Sequence, residues 1–176
     1  YLRRCFADES FKVLAGFDYH PVLANPTFRR IANLLELPLQ GNKRDSHRII
    51  NHVQIGAAST QRVAEILKDS TSLIVTSSRD ELLVTMANLY QIPAYHGMIA
   101  GLLIPGVMPI ATITQQILDR SNIPYLRTQT LSTAELYRII TEDVSKLTSE
   151  DTEKLALVRT LAEDTFDFDT LDELFS

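Results

Sequence analysis

Between residues 50 and 141 the chain alternates short unbroken apolar runs with stretches whose apolar residues recur every three or four positions. Residues 53–58 (Val-Gln-Ile-Gly-Ala-Ala), 72–76, 98–104 and 124–127 read as strands. Residues 60–67, 79–90, 110–120 and 133–141 read as helices, the second carrying Leu82, Leu83, Met86, Ala87 and Tyr90 on one side. Strands that are continuous apolar runs are buried on both faces. Alternating with helices, they predict an α/β fold: a mainly parallel sheet of βα repeats, right-handed crossovers, and helices on both faces.

The flanks are less regular. Residues 11–17 read as a strand, followed by a turn at Asp18-Tyr19-His20-Pro21. Asn25-Pro26 predicts a helix start, with Phe28, Ile31, Ala32, Leu34 and Leu35 forming its apolar face. Residues 40–47 (QGNKRDSH) are polar and glycine-containing, and form the best boundary because nothing in them buries cheaply. Lys43, Arg44, His47 and Arg48 there read as a solvated basic loop rather than a binding surface. Residues 149–166 predict one longer amphipathic helix, and the acidic 168–175 stretch a final short one.

Composition narrows the classes. The 176 residues are 45% hydrophobic and 22% charged, enough for one good core but not for two large domains. A net charge of -5 offers no general attraction for nucleic acid or an anionic membrane, so neither is expected as a partner. No apolar run approaches the roughly 20 residues of a membrane span. The lone Cys5 forms no intramolecular disulfide, and a reducing cytoplasm is the expected location. The opening Tyr1-Leu2-Arg3-Arg4, without a methionine, is what a fragment or a processed terminus would show.

The chemistry-bearing residues are sparse. His20, His47, His52 and His96 are scattered without metal-ligand spacing, and the common phosphate-loop and hydrolase motifs are missing, so no metal, cofactor or catalytic residue is expected. Ser78-Arg79-Asp80-Glu81 has the spacing of a capping box, Ser78 with Glu81, and two carboxylates in a first turn complement the helix dipole. Capping accounts for every residue there except Arg79. Ser132-Thr133-Ala134-Glu135 is a second capping box, read as structural only. The loop Ile104-Pro105-Gly106-Val107-Met108-Pro109 leaves the third strand on the same sheet edge as residues 76–79. Two such loops either form a pocket or are simply tight connections.

The order of these segments resembles a known family. Val53-Gln54-Ile55-Gly56-Ala57-Ala58-Ser59 is similar to the V-x-x-G-A-M-S opening of the DRTGG domain. Leu73 to Glu81 resembles its L-V-I-T-x-G/A-D-R-x-D segment, and Ala100 to Val107 stands where the family has G-L-I-L-T-G-G. Ile123-Pro124-Tyr125-Leu126, with Thr130 to Thr133, resembles its L-P-V-L … D-T-Y-x-T ending. Such domains lie in the middle of long bacterial phosphate acetyltransferases, after a P-loop domain resembling dethiobiotin synthetase. Val13 to Thr27 is similar to the end of that P-loop domain.

The resemblance implies a division into residues 1–45 (remnant of the P-loop domain), 46–145 (DRTGG domain) and 146–176 (helical linker). It implies a non-catalytic regulatory or oligomerisation segment whose parent converts acetyl-CoA and phosphate into acetyl phosphate and CoA. The expected partners are the parent's other domains, a second copy in a homo-oligomer, and a small-molecule effector (a nucleotide or a central metabolite). Thr76, Ser77, Arg79 and Gly106 are the expected effector pocket. A free-standing nucleotide sensor and an oligomerising spacer are the rival readings. The family's aspartate is Ser78 here, and Pro105 and Val107 replace the threonine and second glycine of T-G-G. The helix is therefore expected to be capped by Ser78 and Glu81, with the family site partly dismantled around Arg79.

Overall fold

A computed structural model describes residues 14–18, 20–57, 59, 61, 62, 65, 67, 71–77, 79–143, 147–149 and 151–175. Four parallel strands, β1 (His52–Ile55), β2 (Ser72–Val75), β3 (Ile99–Pro105) and β4 (Tyr125–Thr128), lie side by side in chain order. β2 and β3 are buried along their whole length, as their unbroken apolar sequences require, while β1 is only half-buried at the edge.

Sequential order has a consequence for layering. Right-handed crossovers between neighbouring parallel strands put every crossover helix on one side. That side holds α3 (Asp80–Gln91) and α5 (Thr112–Ser121), which bury Leu82, Leu83, Met86, Tyr90 and Leu118 with Ile74, Leu102 and Ile104 of the sheet. The opposite face is covered by helices outside the crossovers: α2 (Phe28–Leu34) before β1 and α6 (Thr133–Glu142) after β4. Phe28, Ile31, Leu136 and Ile140 pack there with Leu73, Val75, Leu103 and Leu126. Helices thus cover both faces, and the fold is α/β as expected. Short helical turns α1 (Pro21–Ala24) and α4 (Pro93–His96) and a 3₁₀ turn (Asp45–His47) were not foreseen; each is too short to show a periodicity. α7 (Thr152–Thr165) and α8 (Phe168–Phe175) complete the chain.

Several expectations need correction. Leu14 to Asp18 are in no strand, and residues 11–13 of that expected strand lie outside the described ones, as do half of residues 60–67. α2 is capped not by Asn25 but by Thr27, whose Oγ1 accepts from the Arg30 backbone N–H at 3.2 Å. The polar 40–47 stretch is docked along its inner side, while Lys43 and Arg44 stay exposed. Gln40 exchanges both backbone hydrogen bonds with Tyr125 on β4, at 3.0 and 3.1 Å, and Ser46 is fully buried. Polar residues are buried here because each finds a partner, which composition alone does not reveal. Gly41, at φ +76, presses so closely on the Ile123 carbonyl that no side chain fits.

α2 reaches the sheet through a second glycine. The register between β2 and β3 shifts beside Leu73, so that Ala100 and Gly101 both face α2. A Cβ on Gly101 would stand 2.5 Å from Cε1 of the Phe28 ring. Gly101→Ala is therefore expected to destabilise the fold by about 1–3 kcal/mol, as overpacking does. Urea unfolding measures it, and Phe28→Leu added to Gly101→Ala should restore part of the loss.

Candidate functional site

The C-terminal ends of β1 and β2 bring two of the sequence segments together. Gly56, just past β1, donates its N–H to the Val75 carbonyl at 2.8 Å. A Cβ there would meet Leu82 Cδ2 at 2.5 Å and Thr76 Cβ at 2.9 Å, so only glycine allows the approach. Two side chains then converge on the Gly56 carbonyl: Thr76 donates its hydroxyl at 3.4 Å and Arg79 donates Nη1 at 3.0 Å. Thr76 is buried and also donates to the Ser77 carbonyl at 3.1 Å. Ser77 is exposed beside it.

Arg79 is half-buried and turns its outer edge to Glu81, with Nε and Nη2 both 2.8 Å from Oε1. Glu81's own backbone N–H foremost, and then the Arg79 guanidinium, hold the Glu81 carboxyl below the usual carboxylate range. The expected Ser78–Glu81 capping box is not what the helix start shows. α3 begins at Asp80 with Arg79 at the N-cap and no side-chain cap bond, which leaves Glu81 one position too early for a box. Ser78 itself lies outside the described residues. The second box, Ser132 with Glu135, is complete: Ser132 Oγ accepts from Glu135 N at 3.3 Å and Glu135 accepts from Ser132 N at 2.8 Å.

Gly106 belongs to a different junction. Its φ is +118, a conformation for glycine, and its N–H donates to the Thr128 carbonyl of β4 at 3.0 Å. The loop after it is held by Arg127, whose Nη2 donates to the Met108 carbonyl at 2.9 Å, leaving Val107 and Met108 exposed. So the fold ties Thr76 and Arg79 to Gly56 and ties Gly106 to β4. Crevices at strand ends open where strand order reverses. Among the described residues the order runs straight across the sheet, without such a reversal.

At the other end of the strands lies a polar network the sequence did not announce. The Tyr90 hydroxyl donates to Asp45 Oδ2, which also meets Arg48 Nη2 at 2.9 Å and His96 Nε2 at 3.0 Å. Arg48 Nη1 donates to the carbonyls of His96 and Ile99 at 2.7 and 2.9 Å, and its guanidinium lies over the Tyr90 ring. Arg48 is thus not part of a solvated basic loop. Lys43, Arg44 and His47 remain on the outward side of the same turn. The partners stand 45 or more residues from one another in pairs such as Tyr90 and Asp45, beyond the reach of any local pattern.

Among the described residues no group of His, Cys, Asp and Glu is placed to hold a metal ion, and no helix is long and apolar enough to cross a membrane. No family model and no curated protein matches the chain. One solved structure similar in chain path is the CBS and DRTGG domain region of the Clostridium perfringens pyrophosphatase, complexed with its activator diadenosine tetraphosphate. The match has 13% identity and a TM-score of 0.47, and covers 82% of this chain and 64% of that one.

Burial first, and then the Asp45 hydrogen bond, raise the Tyr90 phenol above its usual range. The fold therefore favours the protonated phenol. That contribution is fully present below the unfolded value near ~10 and is lost as pH rises beyond it. Tyr90→Phe is expected to cost about 1–3 kcal/mol at pH 7, because Asp45 loses a donor. Its stability should then fall less steeply than the wild type's above about pH 10. Urea unfolding across that range measures both effects.

Proposed function

We propose that this chain is a non-catalytic regulatory and oligomerisation segment of the DRTGG type, drawn from the middle of a phosphate acetyltransferase. Its parent would convert acetyl-CoA and phosphate into acetyl phosphate and CoA, and the residues that do so would lie in another domain. The effector, a nucleotide or a central metabolite, would bind at Thr76, Ser77 and Arg79, with Gly106 on the neighbouring loop. The observation that supports this reading is the convergence of Thr76 and Arg79 on the Gly56 carbonyl. It joins two segments that resemble the family's motifs and leaves a guanidinium edge facing outward.

The chemistry of a switch follows from the two halves of Arg79. Its inner nitrogen is fixed on the Gly56 carbonyl, so the side chain is already oriented. Its outer edge meets Glu81, which is exposed, and exposed ion pairs contribute little. An effector anion can therefore take the place of the Glu81 carboxylate at small cost. Asp80 and Glu81 oppose a highly charged ligand there, which favours an effector presenting one compact anionic group.

Thermal unfolding with a panel of adenine nucleotides, diadenosine tetraphosphate and carboxylate metabolites tests the site. At least one ligand should raise the Tm saturably in the wild type and not in Arg79→Ala. No shift across the panel overturns the effector site. Parentage is tested separately by the intact mass of the native polypeptide, captured from source cells with an antibody to this segment. A mass far above that of 176 residues, with acetyltransferase peptides in its digest, is expected; a mass near that of 176 residues overturns the acetyltransferase reading.

A further inference from the structure

The basic residues of the 40–47 segment acquire a partner that sequence could not supply. Arg29, on α2, joins Lys43, Arg44 and His47 in lining one open surface groove of about 390 Å³, together with Thr152 and Glu153 at the start of α7. The lining thus holds three cations, Arg29, Lys43 and Arg44, and His47 beside one carboxylate, in a chain whose net charge is -5. Such a local reversal of sign concentrates the field that draws in anions.

The groove is held rigid from behind. Asn42 Oδ1 accepts from the backbone N–H of Arg44 at 3.0 Å, and Ser46 donates to the Lys43 carbonyl at 2.6 Å. Asp45 and Arg48, from the inward side of the same turn, are locked to Tyr90, His96 and the Ile99 carbonyl. The backbone of the turn is therefore fixed, and binding has only the exposed side chains left to order.

We propose that this groove binds a small molecule carrying two or more linked phosphates. Arginine matches phosphate oxygens with paired donors and lysine adds a compact charge, so the set suits several anionic groups in a row. The place is distinct from the Arg79 site. Arg79 follows the C-terminal end of β2, whereas this turn is fastened to Ile99, the first residue of β3, at the opposite end of the strands.

Inorganic tripolyphosphate, titrated into the 176-residue chain at constant ionic strength, is the probe. Saturable binding is expected, with amide signals of residues 43–47 and 152–153 moving in two-dimensional NMR. Lys43→Ala with Arg44→Ala should weaken it at least about tenfold, since a hydrogen bond to a charged group is worth roughly that factor. Both side chains are exposed, and unchanged signals elsewhere would verify the fold. Glu153→Gln should tighten binding by removing the opposing carboxylate. The proposal is overturned if tripolyphosphate does not saturate, if the double variant binds as the wild type does, or if the signals that move are those of residues 76–79 alone.

Discussion

Handedness is the constraint on which this molecule is built. Parallel strands laid down in sequential order by right-handed crossovers cover one face of their sheet and leave the other bare. Leu73, Val75, Leu103 and Leu126 would then face water, so the four strands need flanking segments to bury them. α2 and α6 supply that cover from before the first strand and after the last. The price is a very close approach, Phe28 against Gly101, at the one point of β3 where a bulge and a missing side chain make room.

α3 then connects two chemically different ends. At its start, Arg79 draws β1 and β2 together through the Gly56 carbonyl. Near its end, Tyr90 reaches Asp45 and, through it, Arg48 and His96. Between them the helix is apolar on its sheet side, with Leu82, Leu83, Met86 and Ala87 fully buried. The outward-facing polar groups at the helix start are held by exposed partners that exchange easily, while those near its end are held by a partly buried network that does not.

Much of this was legible in the sequence, for a physical reason. Leu73 to Val75 and Ile99 to Ile104 are buried on both faces, so their burial needs no alternation to be read. Ser132 and Glu135 cap a helix with atoms only three residues apart. What was missed depends on distance or on exchangeable partners. Nothing near Asp45 in the chain announces Tyr90 or His96, and Arg48 looks like Lys43 and Arg44 until its acceptors are in place. Thr76 and Arg79 stand out in the sequence, whereas nothing local marks the Gly56 carbonyl as the acceptor they share. The S-x-x-E spacing misleads at the cap because α3 starts at Asp80, which puts Glu81 at the second helical position.

The pairing of Gln40 with Tyr125 bears on how copies of this chain can associate. The outer side of β4 is occupied at its beginning, whereas β1 pairs only with β2 among the described residues. Exposed strand edges invite further strands, and a sheet with two open edges can grow without limit. With its first residue already paired, β4 offers a shorter edge for strand addition than β1 does. Edge-to-edge joining of two copies through β1 would leave only the two shortened β4 edges at the ends of an eight-stranded sheet.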